Sequence, residues 1–150
     1  MVEPNLFTWI LLVFGMITLL PLIAAQTVLL RDPESRRAKD LIIGKGREWR
    51  DSTHRKSAIA FAWSDILLVL PLFIISSTTV LSGASWGYLL WIALGFICVY
   101  FSITFWVMER VTSVKYHGWF AYLTYYWGFF LYWGVGVIIY SFLQLSNMIF

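Results

Sequence analysis

Four long apolar runs constrain this chain more than any other feature: Leu6 to Leu30, Ser57 to Leu81, Trp86 to Met108, and Trp119 to about Leu145. About 20 residues at helical rise cross a hydrocarbon core of roughly 30 Å, so each run is long enough to span a bilayer as a helix. Strands are a poor alternative. An open sheet cannot satisfy its edge hydrogen bonds in lipid, and the runs lack the alternating pattern of a membrane barrel. Composition agrees, because 60% of the residues are hydrophobic and only 13% charged, outside the usual range of soluble domains. The expected fold is all-α: one integral membrane four-helix transmembrane bundle over residues 1–150, with spans at about 6–30, 57–81, 86–108 and 119–145.

Charge sets the expected orientation. The stretch from Arg31 to Lys56 holds nine of the eleven Lys and Arg residues and five of the eight acids. With four spans, this loop and the Arg110 to Lys115 loop fall on one side. The positive-inside rule makes that side cytoplasmic and puts both termini, with the uncharged turn Ser82 to Ser85, outside. Such a confined excess is a topology signal rather than a nucleic-acid surface. Met1 to Asn5 carries Glu3 and no base, unlike a cleaved signal peptide. Cys98 is the single cysteine and forms no intrachain disulfide. The expected location is a bacterial inner membrane or another membrane with a cytoplasmic face.

Within the basic loop, Asp32-Pro33-Glu34 reads as a helix start, with Asp32 as cap and proline in the first turn. Gly44 reads as the stop. Ala38, Leu41 and Ile42 share a face, which suits a short interfacial helix on the inner leaflet. Gly44-Lys45-Gly46 lacks the spacing of a phosphate-binding loop. Further on, Trp49 suits the headgroup level, and Asp51, Ser52 or Thr53 caps the second long helix. Its positive end, flanked by Arg50, Arg55 and Lys56, is suited to an anion such as a lipid phosphate.

Along the spans, Gly15, Thr18 and Ala25 put small residues on one face of the first helix, where a neighbour can approach closely. Pro21 and Pro71 are expected to bend their helices. Gln26, about one turn from the basic edge, needs either a partner inside the bundle or a route to headgroups. Asp65 lies nine residues beyond Lys56, about 13 Å deeper at helical rise. Ionised aspartate at that depth costs ~2.5–3.5 kcal/mol on insertion scales and usually marks a site or a pathway. The alternative is an aspartate bonded to a neighbouring helix to fix packing. His54, Ala58, Ala62, Asp65, Val69 and Ser76 fall roughly along one face. In the third span, Trp91, Gly95, Cys98, Ser102 and Phe105 form a line towards Glu109. A corresponding line in the fourth runs through Ala121, Thr124, Gly128 and Val135, beside dense Tyr, Trp and Phe.

Collected by depth, the candidate site gathers on the cytoplasmic side. Asp65 and His117 are candidate proton carriers, and Arg50, His54, Arg55, Lys56, Ser102, Glu109 and Arg110 are candidate ligand-binding residues. The pattern contains no nucleophile elbow, HExxH or CxxC motif, points to no metal, and leaves any cofactor unknown. Length, four spans, outward termini and the basic first loop resemble the plan of the membrane-associated eicosanoid and glutathione metabolism proteins, which are trimers using glutathione. The likeness is architectural. That family places an Arg, an Asn and a Glu at the entry to its second helix; Arg50 or Arg55 can stand for the arginine, but Ala58, Ile59, Phe61 and Ala62 follow. No glutathione residue is carried over. The functional expectation is a membrane protein with a cytoplasm-facing cavity that binds a lipid or lipophilic ligand or serves as an assembly subunit. The alternatives are a small membrane enzyme with a lipophilic substrate and a proton-coupled transporter. Membrane lipids and either further copies of the chain or other membrane subunits are the expected partners.

Overall fold

A computed structural model describes residues 3–112 and 126–146. Among them there is no strand, and six α-helices follow in order: α1 (Leu6–Arg31), α2 (Arg36–Ile42), α3 (Ser52–Ser64), α4 (Leu70–Leu81), α5 (Trp86–Thr112) and α6 (Tyr126–Ser146). A π-helical turn, Asp65–Val69, joins α3 to α4, so the second long segment is helical from Ser52 to Leu81. Four helical segments are long and apolar enough to cross a membrane. The chain has the make-up of a membrane protein, with α2 as a short extra helix between its first two spans.

The contacts define two compact units, one made of residues 1–18 and 73–150 and the other of residues 19–72. In the first unit, α1 starts with reciprocal caps. Asn5 Oδ1 accepts from the Thr8 amide at 3.1 Å, and Thr8 Oγ1 accepts from the Asn5 amide at 3.2 Å, satisfying amides that have no carbonyl partner one turn back. In the same unit, α4 closes in a Schellman turn. The Ala84 amide donates to Thr79 O and the Gly83 amide to Val80 O. Gly83 takes φ +77°, a conformation a side chain resists.

Small residues set the spacing of α5 and α6 in this unit. A Cβ on Gly95 would lie 2.9 Å from the Gly134 carbonyl oxygen, so the two backbones meet directly. Trp91, Leu94 and Cys98 of α5 and Phe130, Trp133 and Val137 of α6 are fully buried, and Ser102 is buried as well. The α5 line expected from the sequence is therefore a packing face. On α6 the packed positions are instead Phe130, Trp133, Val137 and Ser141, while Val135 is 41% exposed. Gly134 allows the close approach, and that fixes the rotation of α6. Gly15 serves a similar purpose for Trp133, whose indole nitrogen would lie 2.8 Å from a Cβ there and which donates to Leu11 O at 2.7 Å.

The second unit holds the later part of α1, then α2, α3 and the π-turn. Its core is Leu29, Ala38 and Ala62, flanked by Val28, Leu30, Ile42, Trp49 and Ala58. Ala38 is the residue that lets α2 sit against the long helices, whereas Leu41 is 52% exposed. The start of α2 differs from the sequence expectation. Ser35 is the cap, its hydroxyl accepting from the Ala38 amide at 3.2 Å. Asp32 instead closes a turn on itself, its carboxylate accepting from the Glu34 amide and its carbonyl from the Ser35 amide. An Asx-turn through Pro33 uses up the aspartate and delays the helix by one turn. Gly44, at φ +97°, follows the end of α2 as expected.

Candidate functional site: the buried Gln26–Asp65 pair and the charged loop

Within the second unit, α1 presents Gln26 and the π-turn begins with Asp65. The two side chains meet: Gln26 Nε2 donates to Asp65 Oδ2 at 2.9 Å. Gln26 is 4% exposed and Asp65 2%, so both end groups have left solvent. The pairing is incomplete. Among the described residues, Gln26 Oε1 and Asp65 Oδ1 have no hydrogen-bond partner although both are buried, and both are acceptors when the aspartate is ionised. An unmet buried acceptor costs free energy, and one on a charged group costs more.

The backbone at Asp65 is irregular as well. Pro71 has no N–H, and its ring crowds the carbonyl four residues earlier. Immediately before it the helix widens into the π-turn, and the Leu70 amide donates to Asp65 O, five residues back. The next donor in that register would be the amide that Pro71 lacks. The bend expected at Pro71 thus takes the form of a π-turn just upstream, a feature that recurs at functional sites. At Pro21, by contrast, α1 continues unbroken from Leu6 to Arg31.

On the loop, several charges pair with each other. Lys39 Nζ lies 2.6 Å from Glu48 Oε2 and 3.3 Å from Glu34 Oε2, and Glu34 also pairs with the Arg55 guanidinium. Arg36 binds Glu48 at 2.9 Å and Asp40 at 3.1 Å. The indole of Trp49 donates to Pro33 O at 2.9 Å and ties the loop to its own start. Bonds from Arg55 and then Lys39 hold the Glu34 carboxyl below its usual range, and the Glu48 bond pushes the Lys39 ammonium up. Together with Asp51, Ser52 and Trp49, these residues line an open cavity of about 340 Å³. The cavity mixes both signs of charge, so it is not a basic pocket.

The expected ligand residues fall into this setting. Asp51 caps α3, its carboxylate accepting from the His54 amide at 2.8 Å, and this bond lowers the Asp51 carboxyl below its usual range. The chain's own carboxylate therefore occupies the helix start that the sequence offers to an anion. Arg50 lies 3.7 Å from Asp51, and its amide donates to His54 Nδ1 at 3.4 Å. His54 meets Trp49 edge to face, with centroids 5.5 Å apart. Arg55 is paired with Glu34, and Lys56 is exposed. Ser102 is buried on α5 in the other unit. His117 and the side chains of Glu109 and Arg110 lie outside the described residues. Among the described residues no three His, Cys, Asp or Glu side chains gather as a metal site would need.

Sequence reasoning named Gln26 and Asp65 without joining them. It missed Glu34, Lys39 and Glu48 as one network. The alternation of sign along the loop was the available signal for that network. No protein-family model, curated protein or solved structure matches this chain.

Proposed function

We propose that this is a polytopic membrane protein that binds a lipid or lipophilic ligand along its helices, or serves as an assembly subunit. In this reading both termini are outside and the Arg31 to Lys56 loop is cytoplasmic. The carrying observation is the large apolar and aromatic surface left open on the long helices. Leu67, Phe96, Tyr100 and Phe142 are all more than half exposed. Acyl chains, a lipophilic ligand or another subunit cover such side chains in a bilayer, whereas in water large exposed apolar surface drives association. The exposed Lys56 and the edge formed by Arg50 and Arg55 then face lipid headgroups.

A second reading rests on Asp65. A buried carboxyl with one unmet oxygen, at the start of a π-turn, suits a proton carrier in a membrane enzyme with a lipophilic substrate or in a proton-coupled transporter. Native mass spectrometry of detergent-solubilised protein separates the two. Retained lipid or a retained partner subunit supports the first reading, while a ligand-free monomer overturns it and leaves the Asp65 reading in place.

A further inference from the structure

We infer that the Gln26–Asp65 pair is a proton-binding site, in which a neutral Asp65 carboxyl uses an Oδ1–H to donate to Gln26 Oε1. The inference goes beyond the lipid-binding reading and does not depend on it. It starts from the mismatch of hydrogen-bonding groups. One bond is made, Nε2 to Oδ2, and among the described residues nothing bonds to the two other buried oxygens of the pair, Oε1 and Oδ1. Both are acceptors, so the missing species must supply a donor. A single proton on Oδ1 turns one orphan into a donor and gives the other something to accept. The acid and the amide then each offer one donor and one acceptor. The carboxylate takes up one proton from solvent hydronium, which leaves water, and no bond to carbon changes.

Three occupants compete for this position. A hard metal ion such as calcium takes six to eight oxygen ligands, and among the described residues no three metal-binding side chains gather. A bridging water would satisfy both oxygens but leave a full negative charge between apolar helices, the form the bilayer penalises most. A proton needs no space and removes the charge. Along its own helix Asp65 has Lys56 nine residues back, about 13 Å away, and His54 further still; on α1 the next charge is Arg31, about 8 Å along the axis from Gln26. Of the loop's other charges, Arg55 pairs with Glu34, Lys39 with Glu34 and Glu48, Arg36 with Glu48 and Asp40, and Arg50 with Asp51. No cation among them bonds to Asp65, whose side-chain partner is Gln26.

The test is infrared spectroscopy of the full chain in lipid at neutral pH, in H2O and in D2O. The wild type is expected to show the C=O stretch of a protonated carboxyl that shifts in D2O and is absent from Asp65→Asn. In Gln26→Leu the band should persist at higher frequency, because the acid has lost its hydrogen-bond partner. Should Asp65→Asn fail to fold, Asp65→Glu carries the same reading through a displaced acid band. A wild-type spectrum with no acid band, as a bridging water or a bound cation would give, overturns the inference. So does an acid band that the Asp65 substitution leaves in place.

Discussion

Gly134 of α6 faces Gly95 of α5 so closely that a Cβ on it would lie 2.7 Å from the Gly95 carbonyl oxygen. Backbone is the obstacle, so no flexible side chain can move aside. Gly134→Leu should force α5 and α6 apart and cost about 1–3 kcal/mol, the usual range for overpacking. The check is the thermal midpoint of the variant in detergent. Gly136→Ala is the control, since its Cβ would meet Leu11 at an ordinary 3.5 Å, and its midpoint should stay near that of the wild type.

The caps of the second unit predict a smaller effect. Asp51 accepts from the His54 amide at the start of α3, and its replacement by alanine should cost about 1 kcal/mol. Asp32 makes only an Asx-turn, so Asp32→Ala should cost less than Ser35→Ala, which removes the cap of α2. Denaturant midpoints of the three variants give the order.

The loop network predicts a dependence on acid. Glu34 is held below its usual range by Arg55 and Lys39. A carboxyl depressed in the folded state contributes stability that is present above its ordinary value near 4.5 and lost as pH falls through the folded value. Amide protection in residues 32–49, taken relative to the intrinsic exchange rate at each pH, should therefore fall below about pH 4.5 in the wild type. In Glu34→Gln, exchange there should already be faster at neutral pH and should respond less to acid. Equal acid responses in the two proteins would count against the network.

Much of this architecture was legible because membrane helices announce themselves by length and apolarity, as with Leu6 to Arg31. Gln26 and Asp65 stood out for the same reason, as polar groups where polarity is costly. Their pairing was not legible, since it depends on the rotation of two helices separated by a loop. Local competition hid other details. Nothing in Asp32-Pro33-Glu34 shows that the aspartate will turn back on its own backbone and leave the cap to Ser35. Likewise, Val135 belongs to a plausible face of α6 until Gly134 is seen to set the helix rotation.

Orientation has a direct readout. In a Cys98→Ser background, Lys45→Cys in the basic loop and Ser82→Cys in the turn after α4 can each be labelled with an impermeant thiol reagent in intact cells. The proposed topology has Ser82→Cys react and Lys45→Cys stay silent until the cells are opened. The reverse pattern would invert it.

The central claim is that Gln26 and Asp65 are held by each other within the membrane-embedded part of the chain, and a double-mutant cycle measures that coupling. Gln26→Leu and Asp65→Leu should each lower stability by leaving a polar partner stranded. Together they should lose less than the sum, with a coupling of about 0.6–1.7 kcal/mol, as seen for interhelical bonds in membranes. Strict additivity of the two changes would show that the side chains do not hold each other, and would contradict the account.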